Sequence, residues 1–472
     1  MNSALLDGEP GAAIAWRDGV AITRRSFAAD AGALAERLPG AGTMLNLSTD
    51  RYRFAVGLGA ALLRGQSSLL PPNHLADTVA RLRTRFIDAY ALVEAGGDGH
   101  GLPAVEHVAG SGSASAMPST TDDTRRAGSV DAPVVAADLV AAYVLTSGST
   151  GDPVPHAKPW GLLVTNARAE ASRLASFLGQ ADLTGIALVA TVPPQHMYGF
   201  ESSVLLAMLG GAAFDAGRPF FAADIAVALA AVPAPRMLVT TPFHLKALLD
   251  AGVDVAPLAL VVCATAPLSP QLAARAETQL QAPLVEIYGC TEAGQVATRR
   301  TTAGPEWRTF DGLRLAGDGA ATVVSGGHVA EPTLLADVLE VTGEQTFRLL
   351  GRANDLVNIA GKRSSIGHLN FHLNSIEGVV DGAFWLPPDK DVGDGLVPER
   401  DDAGIVRLVA FVVAPGIGRE RIVAAMRERV DAAFLPRRIV HVDSLPREAT
   451  GKLTAAALAG LATRMLAGAG GR

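Results

Sequence analysis

Tyr143-Val144-Leu145-Thr146-Ser147-Gly148-Ser149-Thr150-Gly151-Asp152-Pro153 is the stretch on which the reading of this chain turns. An apolar, strand-like run, Leu139 to Leu145, opens straight into a loop of small residues and hydroxyls. Glycines let the backbone turn successive N–H groups inward as an anion nest, and Thr146, Ser147, Ser149 and Thr150 add hydroxyl donors at the same place. The combination points to a phosphate held at the end of a strand, where a plain Gly/Ser linker would not need the apolar run in front of it. The loop is not the Gly-x-x-x-x-Gly-Lys-Ser/Thr type, because Gly151 is followed by Asp152-Pro153 and the nearest lysine is Lys158.

Working outward, apolar runs alternate with segments of helical periodicity. Ala28 to Leu38 and Phe54 to Arg64 have the helical pattern, while Thr43 to Leu47 and Ser67 to Leu70 read as short buried strands. Ile186 to Val192, Met237 to Thr240, Leu258 to Cys263 and Leu284 to Tyr288 continue the strands, and Trp160-Gly161 begins a helix. Such alternation predicts an α/β fold with open sheets, whose ligands gather at the carboxyl ends of the strands. Gly96 to Pro133, rich in Gly, Ser, Thr, Asp and Ala, reads as a mobile surface excursion, with a functional lid as the alternative. Past Arg352 the pattern changes. Strands near Gly382 to Leu386 and Val406 to Val413 and a helix from Arg419 to Phe434 make a small α+β block, which divides the chain into residues 1–353 and 354–472.

Composition bounds the partners. The 472 residues are 49% apolar with a formal charge of −7, enough for two cores and without a basic stripe for nucleic acid or anionic membrane. No run reaches the ~18 apolar residues of a membrane helix, and Met1 to Asp30 has no uninterrupted apolar core, so neither a span nor secretion is expected. Cys263 and Cys290 are the only cysteines and lack paired spacings, which fits a reduced, cytoplasmic setting. His368 and His372 stand at helical spacing without a third ligand, so they are read as packed or exposed histidines and not as a metal site.

Further motifs follow the loop in order: Ala264-Thr265-Ala266-Pro267-Leu268 after Cys263, then Tyr288-Gly289-Cys290-Thr291-Glu292, Asp337, Gly351-Arg352 and Leu445-Pro446-Arg447-Glu448-Ala449-Thr450-Gly451-Lys452. Together with the loop they resemble the signature set of the AMP-forming adenylating enzymes, which comprise acyl- and aryl-CoA synthetases, adenylation domains and luciferases. That family shows Thr-Ser-Gly-Ser/Thr-Thr-Gly-x-Pro-Lys, Gly-Gly-Ala-Pro-Leu, Tyr-Gly-x-Thr-Glu, an Asp and Arg at this spacing, and a closing Leu-Pro-Arg-x-x-Thr-Gly-Lys. The likeness extends from Tyr143 to Lys452.

The resemblance implies ATP and magnesium as cofactors and a carboxylate that attacks the α-phosphorus and expels pyrophosphate. Two anions must meet, so charge compensation and placement carry most of such catalysis. By resemblance Thr146, Ser147, Gly148, Ser149, Thr150 and Gly151 hold the β- and γ-phosphates. Thr291 bonds the α-phosphate, and Glu292 carries magnesium, an ion that takes oxygen donors from one or two carboxylates and from phosphates. Tyr288 stacks on adenine opposite a wall formed by Ala264, Thr265, Ala266 and Pro267, beside Gly289. Asp337 accepts the ribose hydroxyls, Arg352 faces phosphate, and Lys452 bridges carboxylate and α-phosphate. The sequence departs from the pattern directly after Pro153, where Val154 replaces lysine. Either Lys158 substitutes from further along or the loop is neutral and weaker.

The family works in two steps, with the small domain rotating between adenylation and thioester formation. Its hinge falls on Asn354, and Gly361 would leave room for a pantetheine arm. Val192-Pro193-Pro194-Gln195-His196-Met197-Tyr198-Gly199-Phe200 resembles its Pro-x-x-His-x-x-Gly element, which puts His196 beside the substrate carboxylate unless it is a packed structural histidine. Tyr198, Phe200, Phe243, Cys263 and Gly289 could line an aromatic-sized slot, and the small residues among them also admit a linear acyl chain. The short N-terminal region and Gly151-Asp152-Pro153-Val154-Pro155-His156-Ala157-Lys158-Pro159-Trp160 resemble a subgroup from aryl polyene and xanthomonadin-type pathways, in which an aryl acid such as hydroxybenzoate passes to the phosphopantetheine of an acyl carrier protein. A free-standing aryl- or fatty-acyl-CoA ligase is the alternative. An oxygenase of luciferase type and a non-catalytic nucleotide-binding or carrier-docking protein stand further off, since nothing points to oxygen chemistry and both Lys452 and Glu292 are present.

Overall fold

Side-chain caps set where the helices begin. Thr23 accepts a hydrogen bond from the Ser26 amide, so the first long helix runs Arg24–Ala35 and starts ahead of the apolar periodicity. Asp50 does the same for Arg51–Leu63, accepting from the Arg53 amide at 2.7 Å. Thr241 and Ser269 cap helices Pro242–Ala251 and Pro270–Leu280, each with proline in the first turn, where its missing N–H leaves no bond unmade. The computed structural model describes residues 2–107, 133–147, 153–317, 319, 321–352, 356–359, 362–387, 407–447 and 453–466.

Two large sheets organise the chain up to Arg352. The six-stranded sheet has the order Pro153–Pro159, Val140–Ser147, Ser67–Leu70, Thr43–Asn46, Ala89–Val93, Ala104–Glu106, parallel except for its first strand. The eleven-stranded sheet is parallel through Leu284–Cys290, Leu260–Cys263, Arg236–Thr240, Ala187–Ala190, Ala213–Asp215 and Ala13–Arg17, with antiparallel strands at both edges. Side chains alternate along each strand. Leu188 and Ala190 enter a core shared with the six-stranded sheet and helices Arg24–Ala35, Arg51–Leu63 and Trp160–Leu178, whereas Ala187 and Val189 meet helices Ala222–Ala231, Pro242–Ala251 and Pro270–Leu280. Strands buried on both faces read as continuous apolar runs, which is why they were visible in the sequence.

After Leu356 a three-stranded sheet, Asp381–Trp385, Val409–Val413 and Arg438–His441, carries helices Ile366–Asn374 and Arg419–Arg427 on one face and Ala455–Leu466 on the other. Phe384 and Phe411 are fully buried on opposite sides of it. The fold is α/β, with a sheet-rich N-terminal part and a small α+β C-terminal part. A division at 353/354 falls in residues outside the described set.

Two elements differ from expectation. The helix read as Arg419 to Phe434 stops at Arg427; Phe434 arrives through a 3-10 turn, Ala432–Phe434, which Asp431 caps by accepting from the Ala433 amide at 3.0 Å. The Gly96 to Pro133 excursion contains a strand, Ala104–Glu106, paired in parallel to Ala89–Val93, and its residues 108–132 lie outside the described set. A three-residue strand is too short to show a period, so its polar flanks hid it.

Candidate active site

Strands Ala187–Ala190, Arg236–Thr240, Leu260–Cys263 and Leu284–Cys290 pair in parallel, so the segments that follow them leave the same end of the sheet. These are the Pro193–Gly199 segment, the start of helix Pro242–Ala251, the Ala264–Pro267 turn and the Gly289–Glu292 loop. The sequence-predicted groups on them are thereby gathered from separate parts of the chain.

Tyr288 is 8% exposed, its ring 5.8 Å from Trp307 and 5.7 Å from Phe347. With the ring fixed, its hydroxyl donates to Asp337 Oδ2 at 2.7 Å. Asp337 opens strand Asp337–Gly343 and stands directly opposite Arg352 in the antiparallel hairpin with Thr346–Arg352. The adenine-facing tyrosine, the ribose aspartate and the phosphate-facing arginine of the expectation therefore meet at one corner; the Arg352 side chain lies outside the described set. Gly289 passes close to the next strand, and a Cβ there would run into the Gly294 carbonyl oxygen. In the turn after strand Leu260–Cys263 the Ala264 amide donates to the Thr240 carbonyl at 3.3 Å. Thr265 adopts φ +82°, a left-handed conformation rare for a β-branched residue, ahead of Ala266 and Pro267.

The backbones of Thr146 and Ser147 end strand Val140–Ser147 opposite Val154 and Pro153. Their side chains lie outside the described residues, as do Gly148, Ser149, Thr150, Gly151, Asn354, Gly361 and Lys452 in full. Val154 is 45% exposed, whereas Lys158 on the same strand is 9% exposed. The Lys158 ammonium donates to the backbone carbonyl of Thr291 and, at 3.3 Å, to that of Glu292.

Below that loop is a buried polar set that sequence reasoning missed. Glu201 Oε1 accepts from Asn166 Nδ2 at 2.6 Å, Gln295 Nε2 donates to the Ser202 hydroxyl at 2.9 Å, and His328 Nε2 bonds the Gln295 carbonyl at 2.7 Å. Glu170 is fully buried, and burial pushes its pKa up to about 7, partly offset by the neighbouring Ser202 and Gln295 side chains. Burial also raises Glu201 and lowers Lys158, each partly offset by the other's charge. Burial brings His328 down to about 4, so its ring is neutral and its Nε2–H is the donor. The only signal in the sequence was a scatter of polar residues inside apolar runs.

Glu292 is exposed at the loop tip. Among the described residues no group of three His, Cys, Asp or Glu could hold a metal by itself. An exposed lone carboxylate of this kind fits magnesium, an ion that arrives with substrate phosphates and keeps much of its water.

On the Pro193–Gly199 segment, His196 Nε2 bonds the Pro72 carbonyl at 2.9 Å and the Tyr198 hydroxyl donates to the Val262 carbonyl at 3.0 Å. Gly199 cannot carry a side chain, since a Cβ would strike the Pro193 carbonyl. Arg51, fully buried, donates to the Ala190 and Val192 carbonyls, both at 2.9 Å, and so braces the strand end from which this segment departs. Phe200 and Cys263 are fully buried in the cores. Phe243 is 44% exposed, edge-on to His244 at 5.3 Å, and so sits at the surface on helix Pro242–Ala251. His368 and His372 meet edge to face at 4.5 Å on helix Ile366–Asn374. No helix among the described residues is long and apolar enough to cross a membrane.

The Tyr288–Asp337 pair and the parallel strand ends thus belong to a large α/β part that is followed by a small α+β part. Residues 64–343 match the family model described as AMP-binding enzyme, and the chain belongs to that family. It is 30% identical over 289 residues to a 4-coumarate–CoA ligase of Rhodobacter capsulatus, covering 61% of this chain and 67% of the relative. It is 31% identical over 327 residues to a 4-coumarate–CoA ligase of Halorhodospira halophila, covering 65% and 73%. The fold superposes on ATP-bound MatB from Rhodopseudomonas palustris with a TM-score of 0.75 at 17% identity, covering 97% of each chain. For o-succinylbenzoate CoA synthetase from Bacillus subtilis with its acyl-adenylate the TM-score is 0.74 at 16% identity, covering 96% and 97%. Activation of a carboxylic acid as its adenylate is the chemistry of this family, and the chain has the family's fold across nearly its whole length.

Proposed function

We propose that this protein activates an aryl acid, of which hydroxybenzoate is the type, as an acyl-adenylate and transfers the acyl group to the phosphopantetheine thiol of an acyl carrier protein. The observation that carries the nucleotide half is the Tyr288 hydroxyl on Asp337, with Arg352 opposite. In this reading Asp337 receives the ribose hydroxyls, and Glu292 holds magnesium, which supplies positive charge to the phosphates when bound. Thr291 bonds the α-phosphate, His196 borders the acid, and Lys452 neutralises charge as the carboxylate attacks. Asn354 is the hinge, and Gly361 lines the thiol's path.

A second acceptor has support of its own. The matched relatives are named 4-coumarate–CoA ligases, which favours an aryl acid and admits free CoA as the thiol. The two acceptors share pantetheine, so they are separated by competition. The protein is incubated with ATP, magnesium and an aryl acid in the presence of CoA or of holo acyl carrier proteins, and the thioester is read by mass spectrometry. Faster loading of a carrier protein supports the first reading; efficient acyl-CoA formation with no carrier loaded replaces it by the second.

A further inference from the structure

Strand Pro153–Pro159 leads out of the phosphate-loop region with Val154 where the resembling family has lysine, and its one lysine, Lys158, is buried four positions further on. Its ammonium is bonded to the carbonyls of Thr291 and Glu292. A buried ammonium needs a counter-charge. Glu201, also buried, is the carboxylate whose charge favours the Lys158 ammonium most. Glu201 also reaches the same loop: a Cβ on Gly294 would lie 3.3 Å from its Oε1 and 3.6 Å from the His328 ring. Asn166 fixes the Glu201 carboxyl from helix Trp160–Leu178, and His328 holds the Gln295 carbonyl. The Thr291–Gln295 backbone therefore rests on the Lys158 ammonium, the Glu201 carboxyl and a neutral imidazole, supplied by three different segments.

We propose that Lys158 is a positioning residue: backed by Glu201, it fixes the Thr291–Glu292 backbone and so aims the Glu292 carboxylate at the metal of the nucleotide, without touching phosphate itself. The inference rests on the reading of Glu292 as the magnesium ligand. It accounts for a lysine retained on this strand although the position next to the phosphate loop has lost one. Groups that orient a metal ligand from behind commonly change metal affinity by about 10–100-fold when removed.

The test is calorimetric binding of ATP at graded magnesium, of ATP in EDTA, and of AMP, with wild type, Lys158→Met, Lys158→Arg and Glu201→Gln. Thermal melting of each variant runs alongside. The expected result is that Lys158→Met raises the magnesium concentration needed for half-maximal tightening of ATP about tenfold. Its affinity for AMP and for metal-free ATP should stay unchanged, Lys158→Arg should recover most of the effect, and Glu201→Gln should shift it the same way. Weakening of metal-free ATP far more than AMP in Lys158→Met would instead reveal a direct phosphate contact and overturn the proposal. Unchanged magnesium dependence would also overturn it. If Lys158→Met does not fold, Glu201→Gln decides, and normal magnesium dependence in that variant counts against the account. A wild-type protein that binds no ATP under any condition removes the functional reading and this inference together; one that binds ATP without magnesium dependence removes only the inference.

Discussion

The Tyr288 hydroxyl donates to the Asp337 carboxylate at 2.7 Å while the Tyr288 ring is clamped by Trp307 and Phe347. Under the proposed function one tyrosine would serve both as a wall for the nucleotide and as the group that orients the ribose acceptor. A hydrogen bond to a charged partner contributes about 1.5–3 kcal/mol. Tyr288→Phe keeps the ring and removes this one hydrogen bond to Asp337, so ATP affinity should fall about tenfold. Wild type should discriminate against 2′- and 3′-deoxy nucleotides more strongly than the variant does. Titration of the four combinations checks this, and equal discrimination by both proteins would count against the role given to the hydroxyl.

Thr265 holds φ +82° in the turn after strand Leu260–Cys263, at the second position of a stretch resembling Gly-Gly-Ala-Pro-Leu. A non-glycine residue held in a sparsely populated region costs on the order of 1–3 kcal/mol. Thr265→Gly should relieve that strain, less the entropy glycine loses on folding, and raise stability by about 1 kcal/mol. Urea denaturation measures it; a loss of stability would mean that the threonine side chain contributes more than its backbone strain removes.

Glu170 gives a pH prediction. Burial raises its pKa from 4.5 to about 7. The folded protein then binds the proton more tightly than the unfolded chain, so the contribution to stability is fully present below the unfolded value and is lost as pH rises through the folded one. Taking one pKa unit as 1.36 kcal/mol, the loss is at most about 3 kcal/mol. Glu170→Gln cannot ionise and should flatten this part of the profile, leaving the variant the more stable protein above about pH 7. Melting curves between about pH 5 and about pH 8.5 test it, and parallel profiles for both proteins would contradict it.

The sequence showed the parts of this site that depend on order along the chain, and it was weak where contacts cross between segments. Apolar runs before Ala264, Gly289 and the Thr146–Gly151 loop identified the strands because both faces of the sheets are buried. Helix starts shifted because the caps Thr23 and Asp50 are single polar residues that periodicity does not register. Phe243 lies in the first turn of helix Pro242–Ala251, half-exposed just after strand Arg236–Thr240, a placement that residue type alone did not announce. The Glu201–Asn166 pair and the Lys158 contacts join residues far apart in sequence, and no local pattern announces such a partnership.

Acid activation by the proposed site would be read out as pyrophosphate release. Wild type and Lys452→Ala would be assayed with ATP, magnesium and a panel of hydroxybenzoates, cinnamates and fatty acids. The account predicts strong release with an aryl acid and its loss in the variant. Release only with fatty acids would contradict the aryl assignment, and no release with any acid from a protein that binds ATP would contradict the claim of adenylation.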